Sequence, residues 1–409
     1  MTVFLLATLD TKGPEAELIR NRLHALGIET CLVDTGCLGE PSVTADISRE
    51  EMFAAAAFSQ HDLATAGDRG AAISAAARGA AQIVWSAHQR DQVQGVLALG
   101  GSAGTTIGTA AMRRLPIGIP KLMISTLASG QVRPYVADKD IMMFNSVVDL
   151  AGINRISRYV LANAAAAMAG MVKHRPGYSS SDRPLVAATM FGVTTPCVER
   201  ARDVLHEAGY EVLVFHATGN GGQAMESLIE EGVLSGVLDL TTTELADELV
   251  GGILSAGSQR LTAAARCGIP QVVSVGATDM VNFGPPDTTP AEFGQRTFYH
   301  HNQTVTLMRT TVSENRRLGT EIAEKVARAK GPAAILLPLQ GVSAIDAEGQ
   351  PFHSPQARQA LFGAIKQHAG DVPVVELDHH INDASFAVAA AKRLLSMMQL
   401  QDSEQPERA

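Results

Sequence analysis

No stretch of about twenty apolar residues occurs in the chain, so no membrane-spanning helix is expected. The first residues, TVFLLATLD, read as a strand with no basic segment or cleavage site, which argues against a secretory leader. Runs of Lys and Arg are equally absent. With a formal net charge of -9, the surface offers no electrostatic footprint for nucleic acid or an anionic membrane. Cysteine is scarce: Cys31, Cys37, Cys197 and Cys267 have no CxxC spacing. Four such thiols suit small buried apolar positions in a reducing, cytoplasmic setting better than a disulfide framework. HExxH does not occur, so a zinc protease is not expected, and although GGSAG at 100–104 carries the letters of GxSxG, a standard hydrolase triad is not expected either.

What the chain does have is length and pattern. Its 409 residues exceed what one core usually supports, and 46% hydrophobic against 18% charged residues describes a globular protein with large aliphatic cores. Strand-length apolar runs (VFLLATL, ETCLVD, GVLALG, PKLMIS) alternate with helical periods such as PEAELIRNRLHALG. The alternation resumes in LVAATMFG, EVLVFHA, GVLDLT, PQVVSVG, AAILLPL and VPVVELD. This predicts α/β architecture: two Rossmann-like, doubly wound parallel-sheet domains, 1–178 and 179–409, joined in the Ser-, Pro- and Gly-containing segment VKHRPGYSSSDRP at 172–184. The halves echo each other. Pro14 aligns with Pro196, Leu23-His24 with Leu205-His206, Gly27 with Gly209, and Gly118-Ile119-Pro120 with Gly268-Ile269-Pro270. Internal duplication explains this, as does the common need of βαβ units for a helix-ending glycine.

Doubly wound sheets bind ligands beyond the carboxyl ends of their strands, so the loops there carry the functional expectations. In LGGSAGTT, Gly100, Gly101, Ser102, Gly104 and Thr105 stand where a strand gives way to a helix. The loop is neither a Walker A nor a GxGxxG motif, and it reads equally as an anion cradle or as a tight turn with close helix–sheet packing. In ATLDTKG, Thr8, Asp10, Thr11 and Lys12 follow the first strand: Lys12 can meet a phosphate, and Asp10 a magnesium ion or its waters. Asp34 follows the second strand, where doubly wound nucleotide sites place an acid against ribose. Ser125, Thr126, Ser129 and Gly130 add hydroxyls and a turn to the same edge.

The second half has its own set. FHATGNGG places His216, Thr218, Gly219, Gly221 and Gly222 between a strand and a helix, a second anion cradle. DLTTTE offers Thr241, Thr242, Thr243 and Glu244, the last either a general base or the acid of a capping box. SVGATDMVNFGPP reads as a rigid loop carrying Asp279 and Asn282; Arg309 is either an anion clamp or a solvated helix charge. Adjacent histidines in FYHHNQT and LDHHIND diverge in direction and suit one metal ion poorly, whereas one of the second pair, His380, is expected to line the pocket at its strand end.

The runs IGIPKLMISTLASGQVRPYV, MFGVTTPCVERARDVLHEAGYEVLVFHATGNGGQAMESLI, GVLDLTTTELADELVGG, VVSVGATDMVNFGPP and HNQTVTLMRTTVSEN resemble the Tm-one-like ATP-binding proteins, an otherwise uncharacterised family whose eponym is a tomato virus-resistance protein. The likeness covers nearly the whole chain in order. It implies two Rossmann-like domains, ATP with Mg2+ in the N-terminal one through the ATLDTKG, GGSAGT and STLASG loops, and self-association into a homo-oligomer. Longer relatives continue into a TIM-barrel domain similar to phosphoenolpyruvate hydrolases; this chain stops before it, which implies a separately encoded partner. Three functions follow as expectations. The first is an ATP/Mg-using enzyme or enzyme subunit, transferring a phosphoryl or adenylyl group to a small carboxylate or sugar-derived metabolite, with Lys12, His216, Glu244 and Arg309 in the machinery. The second is a non-catalytic module whose protein contacts ATP controls. The third is an ATP-independent lyase or hydrolase using the second-domain loops.

Overall fold

A computed structural model describes residues 1–37, 39–59, 68–177 and 183–404. The chain divides into two compact units, Met1–Tyr178 and Ser179–Ala409. In the first unit, β1 (Thr2–Ala7), β2 (Glu29–Asp34), β3 (Gly95–Gly100), β4 (Lys121–Ser125) and β5 (Met142–Asn145) form a parallel sheet in the order β2-β1-β3-β4-β5. The winding reverses between β1 and β3. Side chains alternate across the sheet: Val3, Leu5, Leu97 and Leu99 pack beneath helices Leu9–Ala25 and Arg155–Lys173, while Phe4, Leu6, Val96 and Ala98 pack beneath Arg69–His88 and Ser102–Arg113. With both faces covered, the strands read as unbroken apolar runs, and each buried Leu contributes about 1.5–3 kcal/mol.

The second unit repeats the plan. Strands β6 (Leu185–Met190), β7 (Glu211–His216), β8 (Gly236–Thr241) and β9 (Gln271–Gly276) are followed by an antiparallel group, β10 (Met280–Phe283), β11 (Phe298–Asn302) and β12 (Val305–Arg309), and then by β13 (Ala333–Pro338) and β14 (Val374–Leu377). The parallel sheet runs β14-β13-β9-β8-β6-β7, reversing between β6 and β8; the antiparallel sheet runs β10-β12-β11. Val186, Ala188, Leu238 and Leu240 pack with helices Thr195–Glu207 and Ala384–Glu404, whereas Val273, Val275, Ile335 and Leu337 pack with Val312–Val326 and Pro355–His368. Pro14 and Pro196 lie in equivalent helices, and Gly27 (φ +73°) and Gly209 (φ +93°) end them in the left-handed conformation that favours glycine. The shared strand order extends the sequence echo to topology.

Several expectations are corrected. The segment SVGATDMVNFGPP is not simply a loop, because Met280–Phe283 pairs with β12 through Asn282 and its neighbours. Helix Arg155–Lys173 runs into the expected linker and includes Val172 and Lys173, while 178–182 lie outside the described residues. Of the thiols, Cys197 is buried, Cys31 and Cys37 are half-buried and Cys267 is exposed. Among the described residues, no helix is long and apolar enough to cross a membrane.

Candidate functional site

At the carboxyl edge of the first sheet, where β1 and β3 diverge, a cleft of about 280 Å³ opens. This is the position at which doubly wound sheets bind ligands, and the volume lies near the lower end of the usual range of about 300–1,000 Å³. Thr8, Asp10, Thr11 and Lys12 line one wall, Gly101, Ser102, Ala103, Gly104 and Ile107 another; Cys37, Arg69, Ile73 and Asp149 complete it.

The first wall is helical earlier than its sequence suggested. Helix Leu9–Ala25 starts directly after Thr8 and is kinked at Lys12 (φ -128°, ψ 18°), just before Pro14. The kink turns the Lys12 ammonium toward the Leu150 carbonyl, to which it donates. Thr8 and Thr11 share a hydroxyl–hydroxyl bond of 2.9 Å. The Asp10 carboxylate accepts from the Gly39 N–H at 3.2 Å, so it pins the loop after β2.

The second wall resolves what the glycines of LGGSAGT do. A Cβ on Gly100 would stand 2.8 Å from Gly104 Cα, and one on Gly104 would stand 2.9 Å from the Leu99 carbonyl oxygen. Those two glycines let helix Ser102–Arg113 sit tightly against β3. Gly101 differs: its Cβ would meet only Thr126 Oγ1, at 3.7 Å. As the N-cap it brings no side-chain acceptor, so the first-turn N–H groups of Ser102, Ala103 and Gly104 have no cap at the cleft they line. Helix Arg69–His88 also begins at this edge, but its N-terminus is capped by Asp68, which accepts from the Ala71 N–H at 3.0 Å. Burial and the nearby Asp10 push the Cys37 thiol up to about 11, which keeps it protonated at neutral pH.

Other expected contacts support the cleft from behind. Asp34 is buried; it accepts from Leu9 N–H (3.1 Å), Gly36 N–H (2.8 Å) and Arg49 Nε (2.7 Å), so its oxygens hold the β1 and β2 loops rather than meeting a ribose. Thr105 and Ser125 are buried and bonded to each other at 2.7 Å. Thr126 stands beside Gly101, while Ser129 and Gly130 are exposed and outside the lining. Among the described residues no cluster of three metal-ligand side chains exists, so Asp10 stands outside any all-protein metal cage.

In the second unit the expected cradle is already filled. Glu244 Oε1 accepts from the N–H groups of Gly219 (2.7 Å) and Gly222 (3.1 Å), and Oε2 accepts from Arg260 Nε (2.7 Å). A Cβ on Gly222 would stand 2.3 Å from Glu244 Oε2, and one on Gly221 1.9 Å from the His216 carbonyl oxygen, so both glycines serve this close packing. Glu244 is therefore neither an accessible base nor a capping-box acid. Arg260, 1% exposed, grips Asp239 with both Nη atoms (2.5 and 2.6 Å). Thr241 bonds Thr194 (2.8 Å), Thr242 donates to the Ser274 carbonyl (3.0 Å), and Thr243 is fully buried.

The remaining second-unit candidates are also engaged. Asp279 accepts from Ser343 (2.8 Å), and Asn282 donates to Asp247 through its backbone and side chain (2.6 and 2.9 Å). Arg309 lies on β12, not on a helix, and donates to carbonyls of Phe352, Asp279 and Thr310 and to Asp346. The His380 ring is engaged within the fold: Nδ1 accepts from the Asn382 N–H (3.1 Å), which leaves Nε2 to donate to the Ser343 carbonyl (2.9 Å). His216 alone is exposed, its ring edge-on to Phe191, while Thr218 bonds the His216 carbonyl. The structure thus assembles the β1 and β3 loops of the first unit and closes the corresponding region of the second.

The fold and cleft define a protein of two doubly wound α/β units, with a small polar cleft at the switch point of the first. The chain belongs to the uncharacterised protein family UPF0261: the model of that family's N-terminal domain matches residues 1–177 and the model of its C-terminal domain matches 183–398. A UPF0261 protein of Clostridium tetani is 50% identical over 399 residues, covering 97% of this chain and 99% of that one. The tomato (Solanum lycopersicum) ToMV resistance protein Tm-1(GCR237) is 42% identical over 97% of this chain, which spans 55% of that protein. Among solved structures, Acinetobacter baumannii MurG aligns along 97% of the chain at 11% identity and a TM-score of 0.22, too remote to carry an argument.

Proposed function

We propose that the first unit binds ATP with magnesium in the β1/β3 cleft, and that the chain works in the cytoplasm as an ATP-using enzyme, or as the ATP-binding subunit of one, on a small carboxylate or sugar-derived metabolite. The observation that carries this reading is the uncapped first turn at Gly101 facing Lys12 across a switch-point cleft. ATP is the nucleotide that the family resemblance names. The N–H groups of Ser102, Ala103 and Gly104 and the Lys12 ammonium offer donors to phosphate oxygens, and Asp10 offers a carboxylate to magnesium or its waters. A phosphate-bound magnesium needs only one or two carboxylates, so a single acid fits it. ATP, when bound, supplies the phosphoryl or adenylyl group; the chain's part is to orient it and to stabilise its charge. Self-association and a separately encoded TIM-barrel partner belong to this reading.

Burial of Glu244 and Arg309 favours a second reading, a module in which ATP controls a protein-binding surface; the name of the tomato relative, a virus-resistance protein, agrees with it. The same burial counts against a lyase or hydrolase built on the second-unit loops.

Calorimetry with ATP and magnesium tests the site. The Gly101→Val variant is expected to fold, because packing leaves that position open, and to bind ATP at least about tenfold more weakly through loss of charge-assisted N–H contacts. Lys12→Ala should weaken binding similarly. Gly104→Ala is the wrong probe, since it crowds the Leu99 carbonyl. Undiminished affinity in both informative variants rejects the placement. If ATP binds and a metabolite screen yields no ATP-dependent product, the module reading stands instead.

A further inference from the structure

Resting on the nucleotide reading above, the geometry points to Arg69 as the residue that recognises the terminal phosphate and makes the cleft prefer a nucleoside triphosphate to a diphosphate. Arg69 is the first residue of helix Arg69–His88, exposed, and part of the cleft lining. Lys12, the other basic side chain of the lining, gives one of its three donors to the Leu150 carbonyl, and Arg49 behind the cleft is bound to Asp34. Among the described residues, the Arg69 guanidinium has no ion pair or hydrogen bond, so its five N–H donors are available.

Its position separates it from the other anion-recognising group. The first-turn amides of helix Ser102–Arg113 come from the loop after β3, whereas Arg69 comes from the helix that leads into β3. Asp68 caps the Arg69–His88 helix, so the helix end itself adds little and the guanidinium is what that wall offers an anion. Both groups line the same cleft; in this assignment an inner phosphate sits on the amides and the terminal one, with its three non-bridging oxygens, on the planar guanidinium fork.

The test is equilibrium binding of ATP and of ADP, each with magnesium, to the full chain, to Arg69→Ala and to Arg69→Lys. The expected result is that Arg69→Ala lowers ATP affinity about tenfold while ADP affinity changes by less than about twofold, with Arg69→Lys between. Equal weakening toward both nucleotides overturns the assignment, because Arg69 would then touch an inner phosphate. Unchanged binding of both also overturns it. If the unaltered chain binds neither nucleotide, the nucleotide reading falls and this inference with it, an outcome distinct from failure at Arg69 alone.

Discussion

Replacement of Arg260 by methionine is expected to destabilise the unit 179–409 by about 3–5 kcal/mol, because it strands buried carboxylates that the guanidinium now neutralises. Arg260 holds Asp239 through both Nη atoms and Glu244 through Nε, with Glu226 3.4 Å from Nη1. A unit of this size loses roughly 2–4 °C of melting temperature per kcal/mol, so scanning calorimetry of the full chain should show its transition lowered by roughly 10 °C. Lysine restores a charge without the fork and should recover only part of the loss. The variant also gains a pH signature. Burial already raises the Glu244 pKa and Arg260 opposes it; without the guanidinium the folded value rises further. A carboxyl whose folded pKa exceeds its unfolded one contributes stability at low pH and loses it as pH rises. The deficit should therefore shrink as the pH is lowered. An unaltered transition would show that Arg260 is dispensable.

Glu244 also explains why similar loops have different fates in the two units. Strands β3 and β8 are equivalent, and each is followed by a helix at the carboxyl edge. In the first unit that helix begins Ser-Ala-Gly, and among the described residues no side chain caps its first turn. In the second it begins Thr-Glu, and the glutamate fills the Gly219–Gly222 amides from within. Glycine-rich backbone presents amide donors in both places, and the side chains one turn away decide whether those donors are taken up within the fold.

This contrast marks how much was legible beforehand. All six apolar runs of the second half are strands of its parallel sheet. The central β6, β8, β9 and β13 are buried nearly throughout, as strands covered on both faces must be apolar along their length, while the edge strands β7 and β14 are partly exposed. The short β5 and the β10–β12 sheet escaped: MMFN and FYHHN are brief or polar, and their pairing is set by tertiary contacts. At the site, loop positions could be read but not their internal partners. Asp239 was the missed signal: a carboxylate inside the apolar run GVLDLT requires a buried cation, and that requirement leads to Arg260. Arg69 and Arg49 gave no comparable sign, since each lies in a helix whose tertiary setting alone gives it meaning.

Acidification from pH 8 to 5.5 is expected to stabilise the unit 179–409, opposite to ordinary acid denaturation. Burial pushes Asp247 from 3.8 up to about 7, against the hydrogen bonds from Asn282 that lower it. Burial likewise raises Asp279 to about 7, opposed by Arg309 and reinforced by Asp346. Asp279 Oδ1 is buried and has no hydrogen-bond partner among the described residues, an environment that favours the neutral acid. Because both folded values exceed the unfolded one, the native state holds more protons between pH 3.8 and about 7, and stability falls as pH rises through that window. Over the interval tested each group is worth about 2 kcal/mol, so together they should raise the melting temperature by roughly 10 °C. Glu314, whose pKa is lowered chiefly through Arg296 despite its partial burial, loses its contribution only below its ordinary range and does not oppose the trend at pH 5.5. Asp247→Asn and Asp279→Asn should each remove about half of the pH dependence. An undiminished slope in the double variant would assign the effect to other groups.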